Sequence, residues 1–204
     1  MKYLSFVFIL FSVGCGLYGQ NDRSEMNFLE RLIRQAQPDG QIVYTDKISK
    51  SDLDKIKLRL KNNTIYDCSS QNQNSIILTR QEKKSLLDQF EFPNDPYWQE
   101  NLFPGSKLIK EEEVMSYIKK TTQDYLENYN NPNNTEVDKM AMVKTYQRPN
   151  VFKFSRPVYL RNRTLCLLFF SSVCGNPCGF DELCFYKIDN NIWTKWVVVN
   201  SNQY

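Results

Sequence analysis

The sequence predicts an α+β fold in which helices come first and an antiparallel β-meander follows. Two observations carry this expectation. From Ser24 to about residue 128, apolar residues recur at helical spacing between capping and breaking residues. Beyond about residue 150 the pattern changes to short alternating and apolar runs separated by tight turns. The 204 residues, 41% hydrophobic and 24% charged, suffice to bury one core. The expected layout is a signal peptide over 1–19 and a single α+β domain over 20–204, helical at about 24–128 and β-rich at about 140–200.

The elements follow in order. Ser24 to Gln37 reads as an amphipathic helix through Phe28, Leu29, Leu32, Ile33 and Ala36, stopped by Pro38-Asp39-Gly40. Ile42 to Thr45 is a short extended piece. Ser51 is the expected N-cap of a helix through Lys61 with one strongly basic side. Ile65 to Cys68 and Ser75 to Leu78 are strand candidates, and Thr79 with Glu82 forms a capping box for a helix to about Phe90. Pro93, Pro96 and Pro104 rule out a regular element through the aromatic stretch that contains Tyr97, Trp98 and Phe103. These three aromatics are the candidate contact residues, although packing onto the core is the commoner fate of such rings. Glu111 to Asn128 is the next helix, and the Asn-rich segment to Glu136 is a loop. Runs at Phe152–Ser155, Val158–Leu160, Thr164–Ser171, Leu183–Ile188 and Ile192–Val199 form the meander, with Asp189-Asn190-Asn191 as a tight turn.

The first residues read as an export signal. Lys2 gives a positive start, and Tyr3 to Val13 is an apolar run well short of the about 20 residues that cross a bilayer. Cleavage is expected between Gly19 and Gln20, with a cut after Gly16 left open by Leu17. Ser12-Val13-Gly14-Cys15 partly fits a lipoprotein box, which makes Cys15 the lipidation candidate. The expected location is therefore periplasmic or secreted, with attachment to the outer membrane only if Cys15 is lipidated.

Composition removes whole classes of chemistry. The chain has no histidine, which excludes Ser-His-Asp and Cys-His catalysis and the HExxH zinc hydrolases. With 26 basic and 23 acidic residues dispersed along it, the chain offers no arm for nucleic acid. No cofactor or metal site is expected. A thioredoxin-like redox pair would need two residues between its cysteines where Cys174 and Cys178 have three, and a zinc set of Cys68, Cys174, Cys178 and Cys184 would need a ligand remote in sequence. The preferred reading is a turn staple from Cys174 to Cys178, with Cys166 and Cys184 as a second candidate bridge and Cys68 left over.

The tail carries a resemblance. Phe154-Ser155-Arg156-Pro157, the strand to Phe170, Cys174-Gly175 with Cys178-Gly179, Leu183 to Lys187 and Ile192 to Trp196 resemble a recurrent ending of small exported proteins of Bacteroidetes type. The likeness covers roughly the last fifty residues, and Phe180-Asp181-Glu182 stand where that ending has a glycine. It implies compartment and fold and carries no catalytic residue across.

The functional expectation is an exported, non-catalytic binding protein that meets a ligand or an envelope partner through its aromatic loop or its sheet face. The alternative is a hydrolase using two carboxylates among Glu91, Asp95, Glu100, Asp181 and Glu182. A curved sheet enclosing a small cavity is the third reading; Trp193 and Trp196 would then point to opposite faces of one strand.

Overall fold

Alternating residues force strands only where partners exist for their backbone groups, and the pairing here joins segments from both halves of the chain. The structure, a computed structural model, describes residues 14–69, 74–91, 98–146, 148–175 and 177–204. The chain divides into a unit ending at Asp39 and a unit over Gly40–Tyr204. The first contains helix α1 (Gly14–Ala36), which begins well before Ser24 and runs through both expected cut sites, with Phe28, Leu29 and Ile33 buried. Isolated glycines such as Gly16 and Gly19 weaken a helix by only about 1 kcal/mol each and do not end it. Residues 1–13, which hold most of the expected export signal, lie outside the described residues.

The second unit begins with β1 (Val43–Thr45), α2 (Lys50–Arg59), β2 (Thr64–Tyr66), β3 (Ser75–Ile77), α3 (Arg80–Glu91) and β4 (Lys107–Ile109). A 3-10 turn at Glu111–Glu113 leads into α4 (Val114–Tyr129), followed by α5 (Glu136–Thr145). The strands β5 (Val151–Phe154), β6 (Val158–Leu160), β7 (Leu165–Gly175), β8 (Cys178–Asp189) and β9 (Ile192–Gln203) complete it. The fold is α+β with a C-terminal antiparallel meander of β7, β8 and β9.

The expected division into helical and β-rich halves is too simple. The main sheet runs β4-β1-β5-β7-β8-β9, with β6 also on β7, so two strands from the early half sit inside it. Both pair in parallel, β1 with β4 on one side and with β5 on the other. Helix α5 occupies the start of the segment expected to be β-rich. Its cap is Thr135, whose hydroxyl accepts from the Asp138 backbone while Asp138 accepts from the Thr135 backbone. That box is hidden in sequence by the Asn-rich run before it. Helix α2 is capped by Ser49 rather than Ser51, because Ser49 takes the extended conformation and accepts from the Asp52 N–H. The Thr79–Glu82 box forms as expected, with bonds of 2.8 and 3.1 Å.

Two apolar clusters cover one face of the sheet. Leu53, Ile56 and Leu60 of the α2 segment, Leu86 and Phe90 of α3, and Ile65 and Ile76 of the β2–β3 hairpin pack on Leu167, Phe169, Leu183, Phe185 and Val197. Val114 and Ile118 of α4 pack on Val43, Ile109 and Val151 at the parallel end. Each such side chain contributes about 1.5–3 kcal/mol on full burial. Two register shifts in β9 leave Trp196 and Val199 as extra residues, and each reverses the in–out alternation. Val197 and Val199 therefore both reach the core cluster, while Asn200 and Asn202 beyond the second bulge share their side of the sheet.

Gly179, beside the β7–β8 turn, has φ +145°, and a Cβ there would stand 2.4 Å from the Ser172 carbonyl oxygen. Gly179→Ala is expected to lower stability by about 1–3 kcal/mol in urea unfolding. An unchanged midpoint would contradict this close approach.

Candidate functional site

Trp98 and Phe103 of the aromatic stretch belong to the core, not the surface. Trp98 and Phe103 are 5% and 1% exposed, and the Trp98 indole N–H donates to the Phe154 carbonyl at 3.0 Å. Their rings pack on Phe154, and Tyr44 meets Phe103 edge-on at 5.8 Å. Neither offers a contact face; Tyr97 lies outside the described residues.

The cysteines divide. Cys174 and Cys178 are bonded across the β7–β8 turn, with Cα atoms 5.2 Å apart. Cys166 and Cys184 are both buried and no disulfide joins them, which corrects the second candidate bridge. The register explains it: Cys166 faces Tyr186 and Cys184 faces Leu168, so the two thiols sit on a diagonal rather than opposite each other. Burial pushes the Cys184 thiol far above its ordinary range. Cys68 is exposed and free, its thiol raised first by burial of part of its surroundings and then by the Asp67 charge. Since Cys174 and Cys178 are bonded to each other, they do not join Cys68 and Cys184 as one ligand set. Cys15 lies in α1, and its side chain is outside the described residues.

A polar row crosses the sheet between the two apolar clusters. Lys153 of β5 lies beside Ser171 of β7, Ser171 beside Asp181 of β8, and Asp181 beside Asn202 of β9. The buried Asp181 carboxylate accepts from Asn202 at 2.8 Å and Asn200 at 3.3 Å, and Lys55 of α2 approaches to 3.7 Å. Lys55 also meets Asp52 at 3.4 Å, and at the other end Lys153 donates to Glu111 at 2.9 Å. This arrangement consumes its own charges. Of the candidate acids, Asp181 and Glu182 are neighbours on β8 and point to opposite faces, and Glu182 is paired with Lys195 at 2.7 Å. Glu100 is exposed in a turn; Asp95 and the Glu91 side chain lie outside the described residues.

The turn end of the sheet is built differently. Between β6 and β7, Arg161, Asn162 and Arg163 have φ of 51°, 55° and 63°, three successive left-handed residues without a glycine. Left-handed backbone costs roughly 1–2 kcal/mol per ordinary residue, less for Asn. Arg161 holds the turn in place by donating to Glu82 at 2.9 Å and to the Ile77 carbonyl at 2.8 Å. That hydrogen bond from Arg161 is the main cause that keeps the Glu82 carboxyl below its usual range. The Thr164 hydroxyl donates to the Arg161 carbonyl, and the Ile188 N–H donates to the Thr164 carbonyl, tying this turn to the β8–β9 hairpin.

On this frame the Arg163 guanidinium lies over the Tyr159 ring at 4.0 Å, and Tyr159 packs on Trp193 at 5.7 Å. Arg163 is exposed, and its guanidinium meets no protein acceptor among the described residues. Asn162, Asn190 and Asn191 are exposed in the same two turns, and Asn190 and Asn191 take the left-handed conformation expected of that hairpin. Trp196, as expected, leaves Trp193 for the opposite face, where Lys187 stands over its ring at 6.0 Å. Sequence reading passed over the Arg163 cluster because its members come from two separate turns. The available signal was an Arg-Asn-Arg turn that lacks glycine.

No family model matches the chain, and neither does any curated protein or any solved structure. No helix among the described residues is long and apolar enough to cross a membrane.

Asp181→Ala is expected to cost about 1–3 kcal/mol, because the Asn200 and Asn202 amides lose the buried carboxylate they share. Chemical denaturation measures it, and a loss under about 0.5 kcal/mol, the range of an ordinary surface change, would show the row to be dispensable. The five-residue disulfide loop is expected to contribute about 2 kcal/mol by chain entropy. Cys174→Ser/Cys178→Ser should show that loss, and dithiothreitol should then have no further effect.

Proposed function

We propose that this chain is an exported binding protein without a catalytic step, and that its contact site is the turn-end cluster of Arg163, Tyr159 and Trp193. One observation carries the site: an exposed guanidinium held 4.0 Å over an aromatic ring, on a turn that keeps costly left-handed residues. Backbone strain of this kind persists where the surrounding structure over-determines it and is concentrated at functional sites. A stacked guanidinium loses little freedom when it pairs bidentately with a carboxylate or sulfate. Trp193 beside it offers a ring for stacking, and the three turn asparagines offer amides for hydroxyl groups. The chemistry fits an acidic saccharide.

Export is supported by the positive start and the short apolar run before Gly14, by the tail's likeness to small exported Bacteroidetes-type proteins, and by the disulfide, which persists in oxidising compartments. The location that follows is periplasmic or secreted; lipidation at Cys15 would add an outer-membrane tether and an envelope partner.

Calorimetric titration with an acidic polysaccharide and its neutral counterpart tests the site. Binding is expected for the acidic polymer alone. Arg163→Asn, which keeps a residue tolerant of the left-handed conformation, should weaken it at least tenfold with Tm unchanged. Equal binding of both polymers, or full affinity in the variant, would refute the assignment. Export is checked separately by intact mass of the protein from its native host. An N-terminus at Gln20 or Leu17 supports secretion, a diacylated Cys15 supports the tether, and an N-terminus at Met1 contradicts both.

A further inference from the structure

Helix α5 exposes an apolar stripe that matches itself. Val137, Met140 and Val143 are 76%, 63% and 57% exposed, although each is a side chain that normally stabilises by burial. Their spacing has a centre. Val137 and Val143 stand three residues before and after Met140, and Glu136 and Lys144 stand four before and after it. At 100° per residue all four lie within about 60° of Met140, so they form one face of the helix. The face is acidic at its first end and basic at its last, and apolar between. Among the described residues Glu136 meets Lys139 of its own helix, at 3.4 Å, and with the Glu136 side chain 82% exposed the pair holds it weakly.

From this pattern we infer that α5 is a self-association surface whose occupant is α5 of a second copy, packed antiparallel about a two-fold axis at Met140. A closed two-fold contact requires a patch complementary to itself. In the antiparallel arrangement Val137 lies level with Val143 of the second copy, and Glu136 lies level with its Lys144. Four valines then flank two methionines, with an opposite-charge pair at each end. A parallel arrangement would instead set Glu136 beside Glu136 and Lys144 beside Lys144, so charge selects the orientation. A ten-residue helix covers less area than the roughly 1,200 Å² of ordinary specific interfaces, so the dimer is weak, with a Kd on the order of 100 μM. Where the protein is concentrated, such pairing would join two turn-end sites in one particle.

Sedimentation velocity of the signal-free chain from about 5 to 500 μM, a range that brackets the expected Kd, tests this. The expected result is a concentration-dependent shift from monomer to dimer, abolished by Met140→Glu with helicity retained by circular dichroism. Glu136→Lys alone and Lys144→Glu alone should each weaken the dimer at least fivefold, since each sets like charges level. The double exchange, Glu136→Lys with Lys144→Glu, should restore it to within threefold of the parent. Any effect of Glu136→Lys on the helix itself persists in the double variant, so restoration reports the contact between copies. A monomer throughout the range overturns the inference. So does a double exchange no better than the single ones, or a stripe that binds a different protein while the chain itself stays monomeric.

Discussion

Strand β1 is three residues long and has neighbours on both sides, and most of the fold depends on its staying there. Val43 gives its side chain to the α4 cluster and Thr45 is buried on the same side, while Tyr44 points the other way. The Tyr44 hydroxyl donates to the Gln99 carbonyl at 2.6 Å and accepts from the Leu102 N–H at 3.0 Å. A buried phenol that leaves neither its donor nor its acceptor role unfilled satisfies two loop groups that lack a ladder. The segment bearing Trp98 and Phe103 can therefore lie against the sheet without a regular element, and the parallel strands can pack there without leaving orphaned amides.

The antiparallel half obeys a different constraint. Its strands alternate so strictly that any inserted residue must move a side chain to the wrong face, and β9 uses two insertions to do this on purpose. Core valines give way to asparagines on one side of the sheet, and Asp181 becomes a buried acceptor with donors on both β9 and α2. The polar row thus separates the two apolar clusters and fixes which helix lies over which. Lys55 and Glu111 reach its two ends from different helical segments.

Much of this was legible in the sequence where it depended on neighbours along the chain. The meander, the Asp189–Asn191 turn, the Thr79–Glu82 box and the Cys174–Cys178 staple all rest on residues close in sequence. Elements fixed by distant partners were less legible. Lys107–Ile109 is too short to announce a strand and becomes one only beside β1. The extent of β9 to Gln203 is set by pairing with Phe180 and Asp181, since Asn200, Ser201 and Asn202 have no strand preference of their own. The Arg163 cluster was missed for the same reason, since Tyr159 and Trp193 meet only once β6 and β9 lie on either side of the β7–β8 pair. Cys166 and Cys184 failed to pair because one step of register, unreadable from spacing, decides between opposite and diagonal.

The placement of β1 also governs the order of events during synthesis. Hairpins β7–β8 and β8–β9 close short loops, but their residues are made last. Strand β1 is made early but completes its ladders only when the chain near residues 107 and 151 has been made, so loop-closure entropy opposes it until late. Until then its three residues and the rings of Tyr44 and Phe103 remain open to solvent. The nascent chain therefore passes through a long interval without its parallel core, during which a binding chaperone would find it extended and a protease would find it vulnerable.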